Sequence, residues 1–203
     1  MDLCNCPSTT LEAIPASTCS FDLKQLQKGV FQKIGSSFDT AAGTPTDPTL
    51  KADWDTFIAA TDNTKAVVTP FIRDVKIAAG DFITEGGGDN TTLNGVEEIN
   101  GTNPSAVTGM FRSITPEQEK SLKKLMCDPL HVYLINQNGR IFGKKVSATV
   151  TTGIPVQALG VKDRTNEGFG TKDVNEIQFS LAAGWSEDLV EITPADFNAL
   201  TDL

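Results

Sequence analysis

Four cysteines and one histidine are the residues of this chain whose types could do chemistry. Cys4, Cys6, Cys19 and Cys127, with His131 four residues beyond the last, could offer soft ligands to a zinc ion. The spacing argues against such a site. C-x-C is less usual than C-x-x-C, and Cys127 lies far from the other three. Reduced thiols are the expected state, with no metal and no other cofactor. A catalytic pair of Cys127 and His131 would need a supporting signature, and the surrounding residues match neither a nucleophile elbow nor a papain-type motif. At the start of an apolar strand, His131 reads as a hydrogen-bonded core or rim residue. Gly86, Gly87 and Gly88 lack the spacing of a phosphate loop and are flanked by Glu85 and Asp89. Those carboxylates and Asp81 follow no calcium-loop pattern. The chain is therefore read as non-enzymatic.

The elements around these residues are best specified over 115–146. Thr115 as N-cap, Pro116 at the first helical position and Gln118 three residues on form a T-x-x-Q capping box. Leu122, Leu125 and Met126 share one helical stripe, and Asp128 with Pro129 stops it. Residues 131–135 then read as a strand, 136–139 as a tight turn and 140–146 as the return strand.

Before this unit, 1–20 reads as a loop-like arm and 21–34 as a helix with Phe21, Leu23, Leu26, Val30, Phe31 and Ile34 on a broad apolar face, ended by Gly35. A short helix over 48–60 should turn Leu50, Trp54, Phe57 and Ile58 inward. From Lys65 the pattern changes to strands, with candidates over 66–72, 75–79, 93–99 and 106–114. Residues 84–92 and 161–171 read as mobile loops. Beyond the central unit, 147–160 is strand-like and 174–182 alternates as a half-buried strand. Ile192, Thr193 and Pro194 repeat the earlier cap, which predicts a last helix over 194–200. The fold class is α+β, mainly β, as one domain made of the arm, a helical segment over 21–64 and a β-rich body over 65–203.

Seventeen basic and 26 acidic residues give a net charge of −9, which disfavours a free, basic nucleic-acid reader. The charge is uneven. Residues 112–145 hold seven bases and three acids, whereas 163–203 hold two bases and nine acids. Solvated faces would explain this. Complementary faces on neighbouring copies of one subunit would explain it too, with Lys120, Lys123, Lys124, Lys144 and Lys145 as the contact residues. No apolar run approaches the roughly 20 residues of a membrane-spanning helix, and the first residues lack the basic and apolar regions of a secretory signal. The expected site of synthesis is the cytoplasm.

The N-terminal arm, the strand-rich body, the capped helix over 115–126 and the hairpin segment HVYLINQNGRIFG (131–143) together resemble tailed-bacteriophage virion proteins of the tail-tube and neck-ring type. That resemblance implies a β-sandwich or partial barrel with a flanking helix, and arms or loops that clasp neighbours. It further implies a homo-oligomeric ring or stack of rings, contacts with other virion proteins and DNA only as cargo passing through a lumen. It carries over no catalytic residue. The cysteine-bearing arm and the segment over 21–34 depart from the minimal tube pattern and leave a capsid-decorating role open. A free-standing carbohydrate- or peptide-binding module is the other alternative, and it requires Trp54, Tyr133 and Trp185 to converge on an exposed cleft.

Overall fold

The run Leu130–Asn136 is buried at every residue, because it is the strand that both halves of the core share. The computed structural model describes residues 13–14, 16, 21–88, 90–166 and 168–203. In chain order the elements are β1 (Leu26–Lys33), β2 (Phe38–Asp39), α1 (Lys51–Ala59), β3 (Val67–Val68), β4 (Arg73–Ala78), β5 (Phe82–Glu85), β6 (Glu98–Thr102), β7 (Ser105–Arg112) and α2 (Pro116–Lys124). There follow β8 (Leu130–Asn136), β9 (Ile141–Lys145), β10 (Val150–Thr152), β11 (Ile154–Val161), β12 (Val174–Leu181), β13 (Leu189–Ile192) and α3 (Ala199–Asp202).

Eleven of these strands form one antiparallel sheet with the path β2-β10-β9-β8-β11-β12-β7-β4. The sheet is open, not a closed barrel, and the mainly-β class with flanking helices holds. One edge of β8 pairs with β1 along its whole length. Its other edge is divided, with Leu130 and Val132 facing β11 and Leu134 and Ile135 facing β9. Side chains alternate across a strand, so β8 feeds two cores. Leu130, Val132 and Leu134 join Phe31, Phe111, Phe142, Ile177, Phe179 and Leu181 on one face. Tyr133 and Ile135 join Val30, Phe38, Trp54, Ile141 and Ile192 on the other. Each fully buried Val, Ile, Leu or Phe here contributes about 1.5–3 kcal/mol relative to exposure.

Residues 26–33 are a strand, which corrects the helix expected over 21–34. Val30 and Phe31 are adjacent and both buried, each in a different core. A strand covered on both faces shows no alternation, and a register shift between Leu26 and Lys28 broke what period remained. The helical stripe was the spacing of a bulged, doubly covered strand.

One helix, α2, matches its cap signal. By contrast α1 starts at Lys51, later than the expected 48, after an N-cap Leu50 that makes no side-chain cap bond and is exposed, not turned inward. In α2 the Thr115 hydroxyl accepts from the Gln118 amide at 3.2 Å and the Gln118 side chain accepts from the Thr115 amide at 2.9 Å. Leu122 is the buried residue of α2, and a 3-10 turn over Leu125–Cys127 completes the run. In α1, Trp54 is fully buried and its indole donates to the Pro48 carbonyl at 2.9 Å.

The last helix begins later than its cap predicted. Pro194 opens no helix, because the segment after it serves α1: Ala195 donates to the Thr49 carbonyl at 2.8 Å, and the Asp196 carboxylate accepts from the Lys51 amide at 2.9 Å. Asn198 then caps α3, accepting from the Leu200 amide at 3.0 Å. The buried Lys28 holds this turn from the sheet side. Its Nζ donates to the Leu200 and Leu203 carbonyls at 3.0 and 2.5 Å. Burial pulls the Lys28 pKa below the ordinary lysine value, against the opposing pull of Asp202.

Candidate assembly surface

β4 and β7 continue past the end of the main sheet into a hairpin. β5 and β6 form a two-stranded sheet of their own, pairing only with each other from Phe82↔Thr102 to Glu85↔Glu98. At its base the Asn103 amide donates to the Asp81 carbonyl at 2.9 Å. Gly80 is required there, since a Cβ would stand 1.9 Å from the Asn103 carbonyl oxygen. Residues 93–95 form a 3-10 turn before β6, which corrects the strand expected from Leu93. Nothing in the described chain covers this hairpin. Phe82 is 65% exposed and Leu93 81%, and Ile83, Val96 and Ile99 are exposed with them. Isolated two-stranded hairpins with open apolar side chains are marginal in water, so this one gains from a surface to lie against.

The hairpin also carries unanswered charge. Residues 77–111 contain Asp81, Glu85, Asp89, Glu97 and Glu98 and no lysine or arginine. Of these acids, Glu85 accepts from the Asn100 side chain at 2.9 Å. No cation among the described residues pairs with Asp81, Glu85, Glu97 or Glu98. The sequence predicts 84–92 as a mobile loop able to order on a neighbour, but not the β5–β6 pairing or its exposed apolar side chains. The signal available was its base-free run of acids interleaved with Phe82, Ile83, Val96 and Ile99.

The cationic residues divide. Lys123 bonds Glu119 at 2.7 Å and also pairs with Asp163. The Asp163 carboxylate, then Glu119, raises the Lys123 pKa, and the Lys123 ammonium holds both carboxyls below their ordinary range. Lys144 meets Asp188 at 3.6 Å and Arg140 meets Glu191 at 3.2 Å. Part of the complementarity between 112–145 and 163–203 is thus met inside one subunit. Lys120, Lys124 and Lys145 are exposed and pair with no acid among the described residues. Beside them, Pro116, Glu119, Lys120, Lys123, Lys124 and Cys127 line an open cavity of about 570 Å³.

The chemically suggestive residues do not come together. Cys127 is exposed at the end of the 3-10 turn, while His131 is only 3% exposed within β8. Cys4, Cys6 and Cys19 lie outside the described residues, as does most of the arm over 1–20. Trp54 and Tyr133 pack edge to face with centroids 5.1 Å apart inside one core. Trp185 packs against the other, donating to the Ser105 hydroxyl at 3.1 Å. The three aromatics required for a carbohydrate or peptide cleft therefore face two different cores.

No protein-family profile matches the chain, and no curated protein matches it. Among solved structures it is similar to a chain in the tail of an empty gene transfer agent (GTA) particle, computed with helical refinement and C6 symmetry. The identity is 8% over 61% of this chain and 82% of that one, with a TM-score of 0.33. It is also similar to a chain in the virion of a native GTA particle, at 9% identity over 64% of this chain and 89% of that one, with a TM-score of 0.35.

Proposed function

We propose that this protein is a non-enzymatic structural subunit of a phage-type particle, which assembles with copies of itself into a ring or tube of the tail or neck. The observation that carries the reading is the uncovered hairpin over 82–102, an apolar and acidic projection from a well-packed sheet. A side chain such as Phe82 stands exposed on this hairpin and is free to enter a neighbouring surface. The resemblance of the capped helix and following hairpin to tail-tube and neck-ring subunits points the same way. The five lysines at 120, 123, 124, 144 and 145 are contact residues in this reading, of which Lys120, Lys124 and Lys145 are free to bond outward. Other virion proteins are further partners. DNA passes as cargo, and a subunit of net charge −9 suits a lumen that does not retain it.

Light scattering on a sizing column tests this at rising protein concentration. The expected result is a mass that grows to a defined multiple of the 21.7 kDa subunit, or to an open polymer. A mass that stays at the subunit value throughout would contradict it.

A further inference from the structure

The hairpin and the capped start of α2 lie at opposite ends of one strand, and α2 then leads back toward β8, whose Leu130 shares a register line with Ser105 through Val156 and Leu181. β7 begins at Ser105, directly after the hairpin's base, and ends at Arg112, just before Thr115 caps α2. An eight-residue strand is roughly 26 Å long at about 3.3 Å per residue. Among the described residues, no ion pair joins Glu97 or Glu98 to Lys120 or Lys124 within a subunit. We infer that the hairpin over 82–102 of one copy docks against the α2 face of a second copy. This rests on the self-assembly reading above and names the two surfaces that meet.

Three features fit the surfaces to each other. The hairpin is acidic without a single base, and the α2 face presents Lys120 and Lys124 with no acid answering them. The hairpin exposes Phe82, Ile83 and Ile99, and the receiving face offers the cavity beside Pro116 and Cys127, with Met126 exposed near its end. Lysine stems can cover the apolar hairpin residues while their ammonium groups reach Glu97 and Glu98. The contact joins two different patches, so it is heterologous. Repeated from copy to copy it either closes a ring or continues as a stack.

Charge reversal tests the contact. Lys120→Glu with Lys124→Glu forms one variant, Glu97→Lys with Glu98→Lys a second, and all four changes a third. All four positions are exposed, and thermal melts within a few degrees of wild type verify that the fold is kept. The measured quantity is the concentration of half-assembly by sedimentation velocity at low salt. Each double reversal should raise it at least tenfold, and the quadruple variant should return to within about threefold of wild type. Double reversals that assemble like wild type would overturn the docking while leaving self-assembly standing. So would a quadruple variant as weak as its parents. A wild type that does not assemble at any concentration would overturn the assembly reading and the docking together.

Discussion

Gln32 on β1 and His131 on β8 face each other across the strand register, each fully buried and each with one polar atom lacking a partner among the described residues. Gln32 Nε2 donates to the Thr64 carbonyl at 2.9 Å, and its Oε1 is the unpartnered atom. His131 Nε2 is the other orphan. Such groups are rare in folded proteins and mark places where stability is sensitive.

The consequence is a pH dependence. Burial lowers the His131 pKa to about 4 from an ordinary value of 6.5. Between those values the unfolded chain binds a proton that the folded chain refuses, so stability falls as pH drops from about 6.5 and this contribution levels off near 4. The full loss is about 3 kcal/mol. Urea unfolding at pH 7, 5.5 and 4 measures it. His131→Phe should lose less stability over that interval than wild type, and parallel losses in the two proteins would refute the assignment.

At the turn after β8, Gly139 has φ +73°, and a Cβ there would stand 2.4 Å from Asn198 Oδ1. That oxygen caps α3. Gly139→Val is expected to cost more than about 1 kcal/mol, from strain in the left-handed region together with the displaced cap. Thermal melts of the two proteins verify it, and an unchanged midpoint would contradict the turn.

Removal of the α2 cap should be milder. Thr115→Ala deletes the hydroxyl that accepts from the Gln118 amide and is expected to cost about 1 kcal/mol. Amide exchange in the first turn of α2 should accelerate while β8 stays protected. Uniform acceleration across both elements would show that α2 is not separable from the sheet.

The cysteines are expected to be dispensable. Protein purified without chelator should carry no stoichiometric zinc by elemental analysis, and EDTA should leave its melting curve unchanged. Stoichiometric zinc with a chelator-sensitive fold would instead assign a site to Cys4, Cys6, Cys19 and Cys127.

What the sequence revealed tracks how local each signal is. The α2 cap, the Asn136–Gly139 turn and the alternation of β12 depend on residues within a few positions of one another, and all three appear as read. β1 was illegible as a strand because its two faces enter different cores, a fact set by β8 more than a hundred residues away. Pro194 failed as a helix start because Thr49 and Lys51 claim its neighbours. The proposed assembly surface was legible by charge only in part. Lys120 and Lys124 stand free, but Lys123 and Lys144 are answered by Asp163 and Asp188 of the same chain, partners that no local pattern announces.

The central claim is that this subunit works by joining copies of itself, and imaging the purified protein at high concentration tests it most directly. Negative-stain micrographs should show rings or stacked tubes of uniform diameter. A variant with residues 82–102 replaced by a short Gly-Ser turn should show only isolated particles while keeping the far-UV spectrum of the main sheet. Wild-type fields containing only isolated subunits at the highest attainable concentration would contradict the account.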